Sequence, residues 1–193
     1  MISHIVDDLF DMQFLSDLEE VILEIPIHTT NTANPQSFPL GLVGSHRLFG
    51  TDIFVRENIN RTTKLHADAE KFFDAFEIID EHLFEVPVYL RRIDLNLQYY
   101  GQNGTPHTDG EGLTVMIMNN TRWDKEWGGQ FQLVEVDDQH KVTKILEEVE
   151  YKPGRILMFP GHIPHRGLAP TNPYVYRYST VFRVHLDDLD RFF

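Results

Sequence analysis

After Pro87 the spacing of apolar residues changes from three and four to two, and that change limits what this chain can fold into. Ile93, Leu95, Leu97 and Tyr99 alternate with Arg92, Asp94, Asn96 and Gln98, the pattern of a β-strand with one buried face. Strand-like runs then follow at short intervals. They are Leu113 to Met118, Gln130 to Val136 behind Gly128-Gly129, Val142 to Val149 behind Asp137-Asp138, Arg155 to Phe159 behind Pro153-Gly154, and Tyr176 to His185. Closely spaced strands of this kind build an antiparallel barrel or sandwich.

The first 90 residues carry helical signals. Ser16-Asp17-Leu18-Glu19 has capping-box spacing and predicts a short helix to about Leu23 that buries Leu18, Val21 and Ile22. From Asn31 to about Gly50, Pro35, Pro39 and several glycines punctuate a loop-rich stretch. Leu65, Ala69, Phe72, Phe76, Ile79 and Leu83 recur at steps of three and four, which predicts an amphipathic helix with its apolar stripe on the core. The expected architecture is mainly β: one domain over 1–193, with helical support in 1–90 and a β core in 91–186.

Composition narrows the function. Seventeen Lys+Arg stand against 30 Asp+Glu, a formal charge of −13, and phosphate-dominated binding to nucleic acid needs the opposite balance. With no cysteine, disulfides and thiolate metal sites are excluded, so any metal must use His, Asp or Glu. The N-terminus shows no signal-peptide pattern and no run approaches the ~20 apolar residues of a membrane span, which makes the cytoplasm the expected location. The sequence offers no guide to oligomeric state.

Ten histidines and 30 acidic residues in 193 produce about one or two His-x-Asp/Glu matches by chance. There are three: His66-Ala67-Asp68, His107-Thr108-Asp109 and His185-Leu186-Asp187. The first falls in the helical pattern, where positions two apart diverge, and the third has no histidine after it. The middle pair lies between strands, in Gly104-Thr105-Pro106-His107-Thr108-Asp109-Gly110. On extended backbone both its side chains reach one ion. Pro164-His165 follows 58 positions later and supplies a third donor, while His162 is a decoy three residues earlier. Two histidines and a carboxylate leave half an octahedron open, the arrangement of non-haem Fe(II) oxygenases.

Several segments in order resemble the 2-oxoglutarate/Fe(II)-dependent dioxygenases of the prolyl-4-hydroxylase-like branch, over about Ile93 to Val184. They are Tyr99-Tyr100-Gly101, Pro106-His107-Thr108-Asp109, Leu113-Thr114-Val115, Trp127-Gly128-Gly129, Pro153-Gly154-Arg155, Pro164-His165 and Arg177-Tyr178-Ser179. The resemblance implies a double-stranded β-helix, or jelly roll, with His107, Asp109 and His165 as iron ligands. It implies that Arg177 pairs with the distal carboxylate of 2-oxoglutarate, a match that suits a guanidinium. Ser179, two residues on, and Thr114 are expected beside it, with Tyr99 a cosubstrate contact ahead of Tyr100. Fe(II) and 2-oxoglutarate are the implied cofactor and cosubstrate, with ascorbate as an optional reductant. The implied reaction couples C–H hydroxylation to conversion of 2-oxoglutarate into succinate and CO2. Trp127 reads as packing and Gly128-Gly129 as a backbone requirement.

Two departures bear on the substrate. Met118 stands where the family commonly has a tyrosine, which removes one expected cosubstrate hydrogen bond. Arg183, on the same strand face as Arg177 and Ser179, replaces a tryptophan that many prolyl hydroxylases carry near the substrate proline. A cation there suits an anionic substrate or a structural ion pair, so peptidyl proline and a small molecule both stand as expected substrates. The competing readings are a cupin-like metal or sugar-binding protein, and a silent 2-oxoglutarate or oxygen sensor on the same fold. Asp109 and Arg177 argue against the cupin.

Overall fold

Side-chain parity divides the strands of this protein between an apolar core and a polar cavity. The computed structural model describes residues 2–30, 48–58 and 60–186. Along the chain run β1 (His4–Val6), α1 (Met12–Glu24), β2 (His28–Thr30), β3 (Leu48–Asn58), β4 (Arg61–Leu65), α2 (Glu70–Leu83), β5 (Tyr89–Gln98) and β6 (Leu113–Met118). They are followed by β7 (Phe131–Val136), β8 (Val142–Val149), β9 (Ile156–Pro160), β10 (His165–Gly167) and β11 (Arg177–His185). The major sheet has the order β1-β9-β6-β11-β5-β3-β2 with β4 on β3, and the minor sheet is β10-β7-β8; all pairings are antiparallel. This is the mainly β, helix-braced jelly-roll organisation expected from the sequence.

One face of the major sheet packs on the helices. Ile93 and Leu95 of β5, Leu113, Val115 and Ile117 of β6, and Tyr178, Phe182 and Val184 of β11 join Leu15, Leu18 and Ile22 of α1 and Phe72 and Ile79 of α2 in one core. The opposite parity points toward the minor sheet, where Met116, Met118, Phe131, Leu133, Leu157 and Phe159 form a second apolar cluster. The polar face of β5 is therefore not a solvent face. Asp94 and Gln98 are buried and, with Arg92 and Asn96, line a cavity between the sheets.

The N-terminal half differs from the helical support expected of it, because β1 to β4 belong to the major sheet. In β3 the alternation is hidden by a bulge between Asp52 and Phe54 that leaves both Ile53 and Phe54 buried. The helix expected from Leu65 starts at Glu70: Leu65 ends the exposed strand β4, and His66 to Ala69 form a turn. Likewise α1 begins at Met12, capped by the Asp11 carboxylate accepting from the Phe14 N–H at 2.7 Å, so Ser16 lies inside the helix rather than at its cap. Of the loop expected over 31–50, residues 31–47 lie outside the described residues and 48–50 open β3.

The helix brace carries real stability. Phe72 is fully buried between α2 and the sheet. Phe72→Ala is expected to cost roughly 3–5 kcal/mol, read as a lowered urea midpoint with an unchanged slope.

Candidate metal centre and cosubstrate pocket

His107 and His165 come together through the backbone. The His107 N–H donates to the His165 carbonyl at 3.0 Å and the His165 N–H returns to the His107 carbonyl at 2.9 Å. On either side, the Gly104 N–H donates to Gly167 O and the Asp109 N–H to Gly161 O, both at 2.8 Å. The segment before β6 is thus zipped onto β10 and the end of β9, and 58 residues of separation collapse into one cluster.

Its side chains are oriented for a metal. The ligand atoms of His107, Asp109 and His165 all lie within 4.8 Å of one another. The His107 Nε2 is 4.0 Å from Asp109 Oδ1, and the His165 Nε2 is 3.5 Å from Asp109 Oδ2. Each Nδ1 faces a carbonyl two residues back, Thr105 O at 3.0 Å and Ile163 O at 2.8 Å. A carbonyl only accepts, so Nδ1 must carry the proton, and the Nε2 lone pair is left for an ion. Phe131 and Phe159 pack on the His165 ring, with centroids 5.5 and 4.7 Å away. Burial, with His107 next, pulls the His165 imidazole down to about 4, so it is neutral at physiological pH. Burial pushes the Asp109 carboxyl up, but His165, Arg183, His107 and the Thr114 hydroxyl outweigh it and hold the group below the usual carboxylate range. A neutral imidazole and an ionised carboxylate are the forms that ligate iron.

The other His-x-Asp pairs do not form such a centre. His66 and Asp68 sit in the turn before α2 rather than on a helix, 3.6 Å apart, and Asp68 is exposed. Asp187 lies outside the described residues, and His162 is exposed in the turn before β10.

Arg177 marks the inner end of the cavity. It is fully buried, its Nε donates to Gly129 O and its Nη1 to Gln98 Oε1, each at 2.8 Å, and its guanidinium lies 4.9 Å from the Tyr151 ring centroid. Burial lowers its pKa to about 10, which leaves it a cation at neutral pH. Among the described residues no carboxylate pairs with it, and its buried Nη2 has no hydrogen-bond partner. A buried cation with an unused N–H is costly unless an anion completes it. A carboxylate reaching the Nη edge fits that deficit.

Of the other residues expected here, Ser179 lines the cavity with its Oγ 3.4 Å from Arg177 Nη1. Thr114 also lines it but spends its hydroxyl on Asp109 Oδ2 at 2.8 Å, a support for the carboxylate rather than a cosubstrate contact. Tyr99 is a correction. It follows β5, is 41% exposed, lies outside the cavity lining and packs edge-on against Phe49, so neither it nor the more exposed Tyr100 reaches the site. Parity explains this: Gln98 is the cross-strand partner of Arg177 and occupies the inward position. Met118 is buried among the apolar side chains between the sheets, and the aromatic ring over Arg177 comes from Tyr151, whose hydroxyl meets Asn120 Oδ1 at 2.6 Å and Tyr178 O at 2.5 Å. Arg183 lines the cavity and pairs with Asp109, Nη2 to Oδ1 at 2.8 Å.

Gln98 and Tyr151 were not legible in the sequence, because cross-strand register decides both. Gln98 also donates to Gly167 O at 2.8 Å, and a Cβ at Gly167 would stand 2.5 Å from its Oε1, so only glycine leaves room for the pair. Gln98→Met should raise the dissociation constant for 2-oxoglutarate roughly tenfold to a hundredfold, the usual worth of a hydrogen bond to a charged group, and leave iron affinity unchanged. Titration calorimetry with Fe(II) and then 2-oxoglutarate checks both halves.

A jelly roll holding two imidazoles and one carboxylate around open space, with a buried unpaired guanidinium in the same cavity, defines a mononuclear iron oxygenase. Residues 95–185 match the model of the 2OG-Fe(II) oxygenase superfamily, and the enzyme class this match points to uses Fe(II) and 2-oxoglutarate. Solved structures share its fold at low identity. A 2OG-Fe(II) oxygenase family oxidoreductase from Burkholderia pseudomallei has a TM-score of 0.67 at 15% identity, over 95% of this chain and 85% of the other. A prolyl-4-hydroxylase from Pseudomonas putida gives 0.59 at 14%, over 96% and 93%. A prolyl hydroxylase from Trichoplax adhaerens, in complex with a hypoxia inducible factor peptide, gives 0.61 at 15%, over 95% and 83%. No curated protein matches the sequence. Among the described residues, no helix is long and apolar enough to cross a membrane.

Proposed function

We propose that the chain is a hydroxylase in which His107 Nε2, His165 Nε2 and the Asp109 carboxylate hold Fe(II), and Arg177 receives the distal carboxylate of 2-oxoglutarate. The observation that carries this reading is the buried Arg177 guanidinium with its unpartnered Nη2, in the same cavity as the His/Asp/His cluster. When bound, iron, 2-oxoglutarate and O2 together supply the oxidising chemistry, in which 2-oxoglutarate yields succinate and CO2 and the substrate gains a hydroxyl group.

The protein's own work is positioning and exclusion of water. Thr114 holds one Asp109 oxygen and so limits how the carboxylate turns toward the metal. The two carbonyls at the Nδ1 atoms fix both imidazole tautomers. Gln98 and Gly129 hold the guanidinium in one orientation, and Ser179 adds a hydroxyl beside it. Phe131 and Phe159 keep one wall dry. No acid–base residue is required. The substrate is a peptide or a small molecule whose C–H bond reaches the metal. The prolyl hydroxylase relatives support peptidyl proline, whereas the cationic wall at Arg92 and Arg183 supports an anion.

The test is an anaerobic titration of the purified protein with Fe(II) and then 2-oxoglutarate, followed by O2. A visible charge-transfer band and later succinate formation are expected for the wild type, and neither for His107→Ala. An equal band in both proteins would overturn the ligand assignment. A band without succinate at any substrate would mark a sensor instead.

A further inference from the structure

We infer that the outer end of the cavity is a carboxylate-binding subsite built on Arg183, and that the substrate is a small organic acid held there by its carboxylate. This rests on the iron and 2-oxoglutarate reading above and adds the substrate class to it.

The argument begins with strand register. Arg183 of β11 stands directly opposite Arg92 of β5, and both line the cavity. Like charges placed opposite each other across a ladder repel. This chain has only 17 basic residues against 30 acidic ones, so two of the few cations occupy one rung beside the metal cluster. The two arginines are not equally provided for. The Arg92 Nε meets both oxygens of Asp94 at 2.7 and 2.8 Å, and its Nη2 meets Asp52 at 2.7 Å, with Lys64 beyond Asp52. Arg92 therefore belongs to a closed charge frame.

Arg183 is left with less. Its Nη2 approaches Asp109, while its buried Nε makes no hydrogen bond and stays 3.7 Å from Asp94 Oδ2. A guanidinium offers five N–H donors in a rigid fork, and among the described residues the Asp109 contact at 2.8 Å is the one short carboxylate contact of this one. The side chain is 30% exposed, open enough to be met from the cavity. Its nearer counter-ion is the carboxylate assigned to iron, with Asp94 more distant and already bonded to Arg92, and sharing the Asp109 carboxylate with a dication weakens its hold on Arg183. An incoming carboxylate restores the balance.

Position separates this subsite from the cosubstrate. Arg177, Ser179, Val181 and Arg183 share the inward face of β11, and six residues of strand span about 20 Å. A carboxylate on Arg183 is therefore a different group from the one Arg177 would hold at the other end. Asn96, between them on β5, also lines the cavity and can read polar groups along the substrate's length.

The test uses binding rather than turnover. Wild-type protein loaded anaerobically with Fe(II) and 2-oxoglutarate is titrated with free amino acids, hydroxy acids and short-chain fatty acids, each beside its primary amide, and with a doubly blocked proline peptide. At least one acid is expected to shift the charge-transfer band at millimolar concentration or below, with its amide at least about tenfold weaker. Arg183→Gln should weaken that acid by a similar factor while 2-oxoglutarate affinity stays within about twofold, and Arg183→Lys should recover part of the loss. Amides matching acids, a shift from the blocked peptide alone, no shift from any acid, or equal acid binding by Arg183→Gln would each overturn the subsite. If Arg183→Gln loses the band itself, the acid-against-amide comparison on the wild type decides. Absence of a band in the wild type would defeat the oxygenase reading instead, so the two failures are distinct.

Discussion

Asp109→Asn is expected to leave the fold intact and to reduce Fe(II) affinity by more than about a hundredfold. Losing a group that merely supports a metal ligand typically costs 10- to 100-fold, and removing a ligand's charge must exceed that. The asparagine is isosteric and can still accept from Thr114, so the packing around a side chain only 4% exposed is conserved. What disappears is the anion beside the two imidazoles, and with it the negative charge that attracts a dication. Arg183 also loses its ion pair. The change is therefore expected to make the cluster net cationic before any metal arrives. Far-UV and near-UV circular dichroism should superimpose on the wild type, whereas bound iron, the charge-transfer band and succinate formation should all fall to background. Normal iron content in Asp109→Asn would remove the carboxylate from the ligand set.

Arg177→Leu should separate stability from binding in the opposite sense. In the protein without cosubstrate the guanidinium is buried with no counter-ion among the described residues, and its Nη2 is unsatisfied. Exchange of a buried charge for an apolar side chain is often neutral or stabilising, although here the Gln98 and Gly129 oxygens lose their donor. The midpoint of thermal unfolding without 2-oxoglutarate should therefore change little. With metal and 2-oxoglutarate at a hundred times its dissociation constant, the wild type should gain about 2.7 kcal/mol by mass action. Arg177→Leu should gain almost none, because the dissociation constant is expected to rise by roughly a hundredfold or more on loss of a paired, charge-assisted contact. Thermal scans of both proteins with and without 2-oxoglutarate check this, and equal gains would exclude Arg177 from the cosubstrate site.

The contrast between what the sequence discloses and what it hides follows the range of each constraint. His107 and Asp109 are legible because two-residue spacing on extended chain is a local property, and His165 because it follows a strand and a proline in a recognisable order. The alternation over Ile93 to Gln98 shows the strand and its two faces. It does not show that the polar face is enclosed, since that depends on the minor sheet reached through β7 and β10. Tyr99 stands one residue of strand parity from the inward position that Gln98 holds, the smallest step that moves a side chain to the other face. Leu65 continued a helical period by coincidence of spacing, while the exposed, charged and threonine-rich β4 gives almost no apolar signal of its own. The bulge in β3 erased the alternation that would have exposed it. Partners such as Gln98 for Arg177 and Arg92 for Arg183 exist only once β5 and β11 are in register.

The split of β11 between two environments has a consequence for how such enzymes diversify. Tyr178, Phe182 and Val184 anchor the scaffold, whereas Val181 and Arg183, interleaved with them, line the cavity between the sheets. Selection, or a laboratory library, can rewrite the second set while the first keeps the chain folded. New chemistries of recognition are thus reachable by single codon changes on a strand whose architecture never has to be reinvented.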